Sequence, residues 1–280
     1  MISPEETKYV LEKAYVPEHI VRLMTLVSGG EAFLFERYLL FAGEDWAIVV
    51  GYPLEGAFRG EDLERAVGDA WKRFRPETLW LIAPELPGAL ARPGDERESD
   101  DYYTLDLQRF EMKARLGVII ARASRMLSVE KGREISTAHQ ELIAEFLERE
   151  RPAPKVRALF LSMADYVPRS ETAVVLSASD KEGQLAAFYV VELAPRNFAT
   201  YVVGGHSKHR YVPGASDLLF FEMVKLARER EKSYIHLGLG VNEGIRAFKT
   251  KWGGIPSRRY EFLGRRRAWP GIPEALASKL

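Results

Sequence analysis

Residues 212–254, VPGASDLLFFEMVKLAREREKSYIHLGLGVNEGIRAFKTKWGG, constrain this chain more than any other stretch. Pro213 and Gly214 forbid a helix at the start, and Ser216 or Asp217 is the expected cap of the helix that follows. Leu218, Phe221, Val224, Lys225 and Arg228 then keep a helical period, and Leu219, Phe220, Met223 and Leu226 widen the apolar face. The charged run 228–232 closes that helix. Tyr234–Leu237 reads as a short strand, Gly238–Gly244 as a glycine-rich turn, and Ile245–Trp252 as a second helix that Gly253-Gly254 ends.

At 280 residues the chain allows one large domain or two of ordinary size. Its 46% hydrophobic and 29% charged residues are those of a soluble globular protein. Apolar runs such as Leu116–Ala121 are core-sized and too short to span a bilayer. The opening MISPEETKYV lacks the basic start and apolar run of a secretion signal, so a cytoplasmic location is expected. The absence of cysteine excludes disulfides, thiolate zinc sites and thiol nucleophiles. Five scattered histidines with no carboxylate at ligand spacing argue against a metal.

Net charge is zero but unevenly spread. Residues 151–280 hold 21 Lys+Arg against 12 Asp+Glu, which leaves 19 against 28 in residues 1–150. A basic C-terminal half suits a polyphosphate ligand or RNA; equally, two complementary halves pack against each other.

In chain order, a helix is predicted over Tyr9–Leu26 with an interruption near Pro17. A hairpin follows over 37–41 and 46–52, then an amphipathic helix over Glu61–Phe74 and a strand over Thr78–Ile82. The charged segment 92–101 reads as an exposed loop, Tyr102–Leu107 as a strand, and Gln108–Leu127 as a basic helix. Helices over Ala138–Glu150 and Val156–Asp165 precede strands over Thr172–Ser177, Leu185–Leu193 and Phe198–Gly204, and Arg259–Leu263 closes the pattern. The first half thus looks like a worn copy of the second, without its glycine loop. The tail 265–269 (RRRAW) is basic and aromatic, with solvated arginines the expectation and contact with phosphate or nucleic acid the other reading.

Two helices, three strands, then helix, strand, helix, strand is an order that resembles the GNAT acyl-CoA N-acyltransferase superfamily, over residues 137–263. In that superfamily a glycine-bearing loop opens a helix that holds the cofactor's pyrophosphate, which Gly214, Ala215 and Ser216 match. Asn242 matches an Asn in the turn after the next strand, and Gly253 the closing Gly. The ending FKTKWGG is more similar to the C-terminal domain of phosphatidylglycerol lysyltransferases and to Fem-type peptidyltransferases, which use aminoacyl-tRNA.

The resemblance implies an α+β fold of two tandem GNAT-like domains, each a mixed central sheet flanked by helices. The expected division is a degenerate domain over 1–127 and an acyltransferase domain over 128–280. It implies an acyl- or aminoacyl-transferase drawing on acyl-CoA or aminoacyl-tRNA, with no metal. The acceptor is an amine or hydroxyl on a small molecule, lipid headgroup or peptide, with tRNA a possible partner. The cofactor is expected along Val203, Gly204 and Gly205, where the strand edge parts from its neighbour, and at Gly214, Ala215 and Ser216. Asp217 conflicts with that reading if its carboxylate is the cap, because it then fills the phosphate position. Lys249, Asn242 and Glu243 are the expected catalytic group. The superfamily's usual Tyr acid would fall at 249, and Lys there fits the Fem-like relatives, where an ammonium steadies an oxyanion or leaving oxygen. His236, Glu192 and Glu243 are candidate bases, with His236 more suited to a core position. The missing Tyr also keeps open a non-catalytic binding module that retains the fold.

Overall fold

The computed structural model describes residues 1–266. Its N-terminal part runs α1 (Pro4–Lys13), a 3-10 turn (Pro17–His19), α2 (Val21–Ser28), β1 (Glu31–Phe35), β2 (Tyr38–Ala42), β3 (Trp46–Val50), α3 (Gly60–Phe74) and β4 (Thr78–Ala83). It continues through β5 (Glu96–Asp106), α4 (Ala114–Ala123) and β6 (Ser128–Gly132). Then come α5 (Thr137–Glu150), α6 (Pro154–Arg169), β7 (Val174–Ser179), β8 (Leu185–Glu192) and β9 (Phe198–His206). The chain closes with α7 (Ala215–Glu229), β10 (Tyr234–Leu239), α8 (Glu243–Lys251) and β11 (Ile255–Arg266).

All these strands join one sheet, in the order β1-β2-β3-β4-β11-β5-β10-β9-β8-β7-β6. The architecture is therefore α+β with a single mixed sheet flanked by helices, in place of the two separate sheets expected. The reason lies in the strand exchange. β1, β2 and β3 are antiparallel, α3 crosses over, and β4 pairs parallel to β3. β7, β8 and β9 repeat this, with α7 crossing over to β10. The strand after β4, which is β5, pairs with β10, and the strand after β10, which is β11, pairs with β4. β5 and β11 then pair with each other and fuse the halves.

This pairing explains why the charged segment 92–101 is largely strand and not loop. Asp101 pairs with Arg259 at 3.5 Å, Asp95 with Arg265 at 2.7 Å, and Glu98 with Lys155 at 2.6 Å. The acidic N-terminal half meets the basic C-terminal half through these partners. β1 also goes beyond the predicted hairpin, and the basic helix is confined to Ala114–Ala123. Pro17 splits the first predicted helix in two, as a residue without N–H does. Ser136 caps α5, with His139 as its reciprocal partner. The expected solvation of the tail arginines fails at Arg265, which is largely buried against Asp95; residues 267–269 lie outside the described residues.

The core has layers on both sheet faces. α7 and α4 cover one face of the C-terminal half through Leu218, Leu219, Met223, Leu116 and Ile120. α5 and α6 cover the other through Leu142, Phe160, Met163 and Tyr166. Among the described residues no helix is long and apolar enough to cross a membrane.

Because β5 and β11 are exchanged, a chain cut after residue 127 leaves both pieces with unpaired strands. Residues 1–127 alone are expected to give no cooperative thermal transition by circular dichroism, and co-expression with 128–280 to restore it. A sharp melt of 1–127 by itself would count against the exchange.

Candidate functional site

The site begins with a difference between two strand pairs. β3 and β4 are paired throughout, from Trp46↔Thr78 to Val50↔Ile82. β9 and β10 pair only from Tyr234↔Phe198 to His236↔Thr200. Beyond that point β9 continues to His206 along β8, while β10 bulges between His236 and Leu239 against β5. The facing edges of 201–206 and 237–239 are left without a ladder partner, and most of their residues are half-buried. A bulge of this kind bends a strand and separates it from its neighbour. The equivalent place in the first half is closed.

Val203 sits in the core beside α5. Gly204 and Gly205 pair with Tyr189 and Phe188 on β8. A Cβ on Gly204 would meet Tyr189 Cδ1 at 2.5 Å and the Phe188 carbonyl at 2.7 Å, and one on Gly205 would meet Leu142 Cδ2 at 2.9 Å. These glycines therefore make room for protein on the two sheet faces, and only the in-plane edge remains for a ligand. Tyr201 partly occupies that edge, since its hydroxyl donates to the Gly204 carbonyl at 3.2 Å.

Gly214 (φ 84°) caps α7, so the cap is neither Ser216 nor Asp217. Ile119 of α4 lies 2.9 Å from where its Cβ would stand, so α4 braces the loop. The Ala215 N–H donates to the Val212 carbonyl at 3.1 Å, and Ser216 follows in the first turn. Asp217 does not block the helix start. Its buried carboxylate accepts from the Trp252 indole at 2.9 Å and pairs with Lys251 at 2.6 Å. It locks α8 to α7, a role sequence reasoning missed because the partner lies far along the chain.

On α8 the three expected catalytic residues separate. The Asn242 side chain is the cap and accepts from the Ile245 N–H at 2.9 Å. Glu243 is exposed in the first turn. Lys249 lies about 9 Å further along the helix axis than Glu243, in the last turn. Its side chain turns inward, is 7% exposed, and donates from Nζ to the carbonyl of Leu239 at the end of β10. The ammonium stands 5.5 Å from the centre of the Tyr103 ring. Burial lowers its pKa to about 8, partly offset by the charge of Asp100.

Asp100, another residue that sequence reasoning missed, shapes the turn before α8. It accepts from the Val241 N–H at 2.7 Å and stands 3.6 Å from the Arg246 guanidinium. Val241 is held at φ 56°, a left-handed conformation that a β-branched residue strongly disfavours. Such strain clusters at functional turns.

The other base candidates are structural. Glu192 is buried and accepts from Ser170, Tyr166, Thr172 and the N–H groups of Leu193 and Ala194. His236 is buried in the sheet and burial lowers its pKa to about 3, with Lys249 and Arg258 adding to the effect. Lys208 and Ser207, in the basic loop before α7, are tied to Glu145. No cluster suited to a metal occurs among the described residues.

No family model matches the sequence, and no curated protein matches it. Solved structures do. The C-terminal domain (DUF2156) of a candidate lysylphosphatidylglycerol synthetase from Agrobacterium fabrum matches with TM-score 0.62 and 16% identity, over 92% of this chain and 91% of that one. L-PGS from Bacillus licheniformis matches with TM-score 0.60 and 16% identity, over 98% and 94%. FemX matches with TM-score 0.62 and 12% identity, over 93% and 96%.

Two outcomes follow from this geometry. Val241→Gly relieves the left-handed strain and is expected to stabilise the fold by about 1 kcal/mol in urea denaturation. Burial also holds His19 and His236 neutral, with pKa values of about 4 and about 3. The unfolded chain takes up protons from about pH 6.5 downward that the folded chain refuses, so urea melts should show stability falling as pH drops through 6 to 4. The observed likeness is one of architecture: this chain has the GNAT-like fold shared with lysylphosphatidylglycerol synthetase and FemX structures.

Proposed function

We propose that this protein transfers an acyl or aminoacyl group to an amine or hydroxyl acceptor. The observation that carries the reading is the buried Lys249 ammonium, bonded to the carbonyl at the end of β10, the strand that parts from β9. The donor, acyl-CoA or aminoacyl-tRNA, lies along the free edge of 201–206, with a phosphate at the start of α7. The fold shared with FemX and L-PGS supports the aminoacyl donor, and that shared with acetyltransferases supports the thioester. The acceptor nitrogen or oxygen attacks the acyl carbon. The bond to sulfur or to the ribose oxygen breaks, and the acceptor's proton passes to a base. Exposed Glu243 is the candidate for that base, and Lys249 stabilises the oxyanion or the departing oxygen. An ammonium desolvated in this way acts more strongly than one in water.

The acceptor is a small molecule, lipid headgroup or peptide, and the setting is cytoplasmic. We also read the chain as two GNAT-like halves dividing near residue 127, the second bearing the site; the repeated strand order supports this. A second reading, a binding module without turnover, is favoured by the Tyr201 hydroxyl on the Gly204 carbonyl, which occupies part of the donor edge.

Lys249→Met is expected to lower kcat/KM by about a hundredfold or more while the fold remains, measured with labelled acyl-CoA and aminoacyl-tRNA pools. Wild-type activity should decline as pH rises through about 8, where the ammonium loses its proton. Removing that buried charge should leave stability near neutral pH unchanged or raised, because burial disfavours the charged form. Turnover by Lys249→Met equal to wild type, or no transfer from either donor, would overturn the reading.

A further inference from the structure

A cavity of about 390 Å³ opens between the turn after α1, the loop after β3, the end of β4 and the start of β11. None of its lining residues belongs to the parted strands. Tyr15, Tyr52 and Phe58 give it three rings, Glu55, Arg258 and Arg259 bring charge, and the remainder is proline, leucine and glycine. An apolar lining with a few polar groups, at this volume, suits a small ligand.

Most of those polar groups already have partners in the protein. The Tyr15 hydroxyl donates to the Pro53 carbonyl at 2.9 Å, and the Tyr52 hydroxyl to the Arg259 carbonyl at 2.7 Å. Glu55 is paired with Lys13 at 2.9 Å, and Arg259 with Glu261 at 2.8 Å. Arg37, which donates to the Glu55 carbonyl at 3.2 Å, is paired with Asp62. Arg258 differs from these cations. No carboxylate among the described residues pairs with it, and its guanidinium lies over the Tyr15 ring, 4.7 Å from the centre. A guanidinium held on a ring still has its planar fork of N–H groups to offer.

The backbone sets this arginine where it stands. β11 bulges between Pro256, which faces Tyr103, and Arg258, which faces Tyr102. Ser257 is the residue left over, and its hydroxyl donates to the Tyr102 carbonyl at 3.2 Å. Arg258 therefore shares a sheet face with Tyr102, whose ring centre is 5.9 Å from that of Tyr52 in the cavity wall. Bulges re-aim a side chain in this way and are common beside binding sites.

We propose that this cavity binds a small molecule that carries an oxyanion, a carboxylate or a phosphate monoester, on an apolar body. The Arg258 fork takes the oxyanion through two N–H···O bonds, and the rings and prolines take the body. Glu55 does not cancel the attraction, because its own charge is matched by Lys13. Arg258 is exposed, so its guanidinium is open to an incoming ligand. The site does not depend on the transferase reading.

The test is calorimetric titration of the full chain with four probes. Phenyl phosphate and benzoate carry both an oxyanion and a ring, benzyl alcohol only the ring, and inorganic phosphate only the charge. At least one of the first two is expected to bind saturably at one site, and the tighter of them identifies the oxyanion. Benzyl alcohol and inorganic phosphate should bind at least about tenfold more weakly. Arg258→Gln should weaken the tighter probe about tenfold or more without changing the melting temperature, because the side chain is exposed and pairs with no carboxylate. Arg258→Lys, which keeps the charge but not the fork, should recover only part of the affinity. Equal affinity in wild type and Arg258→Gln, no saturable binding of either aromatic anion, or inorganic phosphate binding as tightly as phenyl phosphate would each overturn the proposal. Any of these results leaves the transferase reading intact, since Lys249 takes no part in this cavity.

Discussion

The antiparallel pairing of β5 with β11 holds the molecule together. Each half, taken alone, would stop at β4 or β10 with an open edge, and open edges invite unwanted association. The exchange closes both. Charge makes it specific, since β5 carries the acidic residues of one half and β11 the arginines of the other. The exposed Asp101–Arg259 pair adds little stability and contributes mainly register and partner choice, whereas Asp95 and Arg265 are largely buried. The backbone ladder and the tyrosines beneath it carry the energy.

From that constraint the position of the site follows. β5 reaches β10 only because of the exchange, and it brings Asp100 and Tyr103 to the end of β10. Asp100 pins the strained turn at Val241, and Tyr103 faces the Lys249 ammonium. On the other side, Asp217 and Trp252 tie α8 to α7. The lysine is thus held by residues from both halves. Its burial, not its presence in a motif, gives it a lowered pKa and an inward aim. Position 249 reads as one lysine among several in FKTKWGG, yet its neighbour Lys251 points to Asp217 and does different work.

The two halves of the sheet differ at one corresponding place. In the first half β3 and β4 stay zipped along their whole length. In the second half the ladder stops at Thr200 and His236. The same topology therefore yields a filled sheet in one place and an open edge in the other. The Tyr201 hydroxyl satisfies one carbonyl on that edge, as half-buried backbone requires.

Residue pattern alone settled the order of elements in residues 137–263, because helical and strand periods and glycine punctuation are local properties. The resemblance to GNAT-like enzymes pointed to Lys249 and to the loop before α7. Residue pattern misread segment 92–101 as a loop and placed the α7 cap at Ser216 or Asp217. A charged strand looks like a loop until its oppositely charged partner, more than a hundred and fifty residues away, is in view. Likewise Asp217 looks like a cap until Trp252 is folded against it. Tertiary structure alone decided the single sheet, and it fixed the point, at Thr200 and His236, where the strands expected to part do so. Each depends on which distant backbones pair and which side chains lose their water, and no local period in the sequence encodes either.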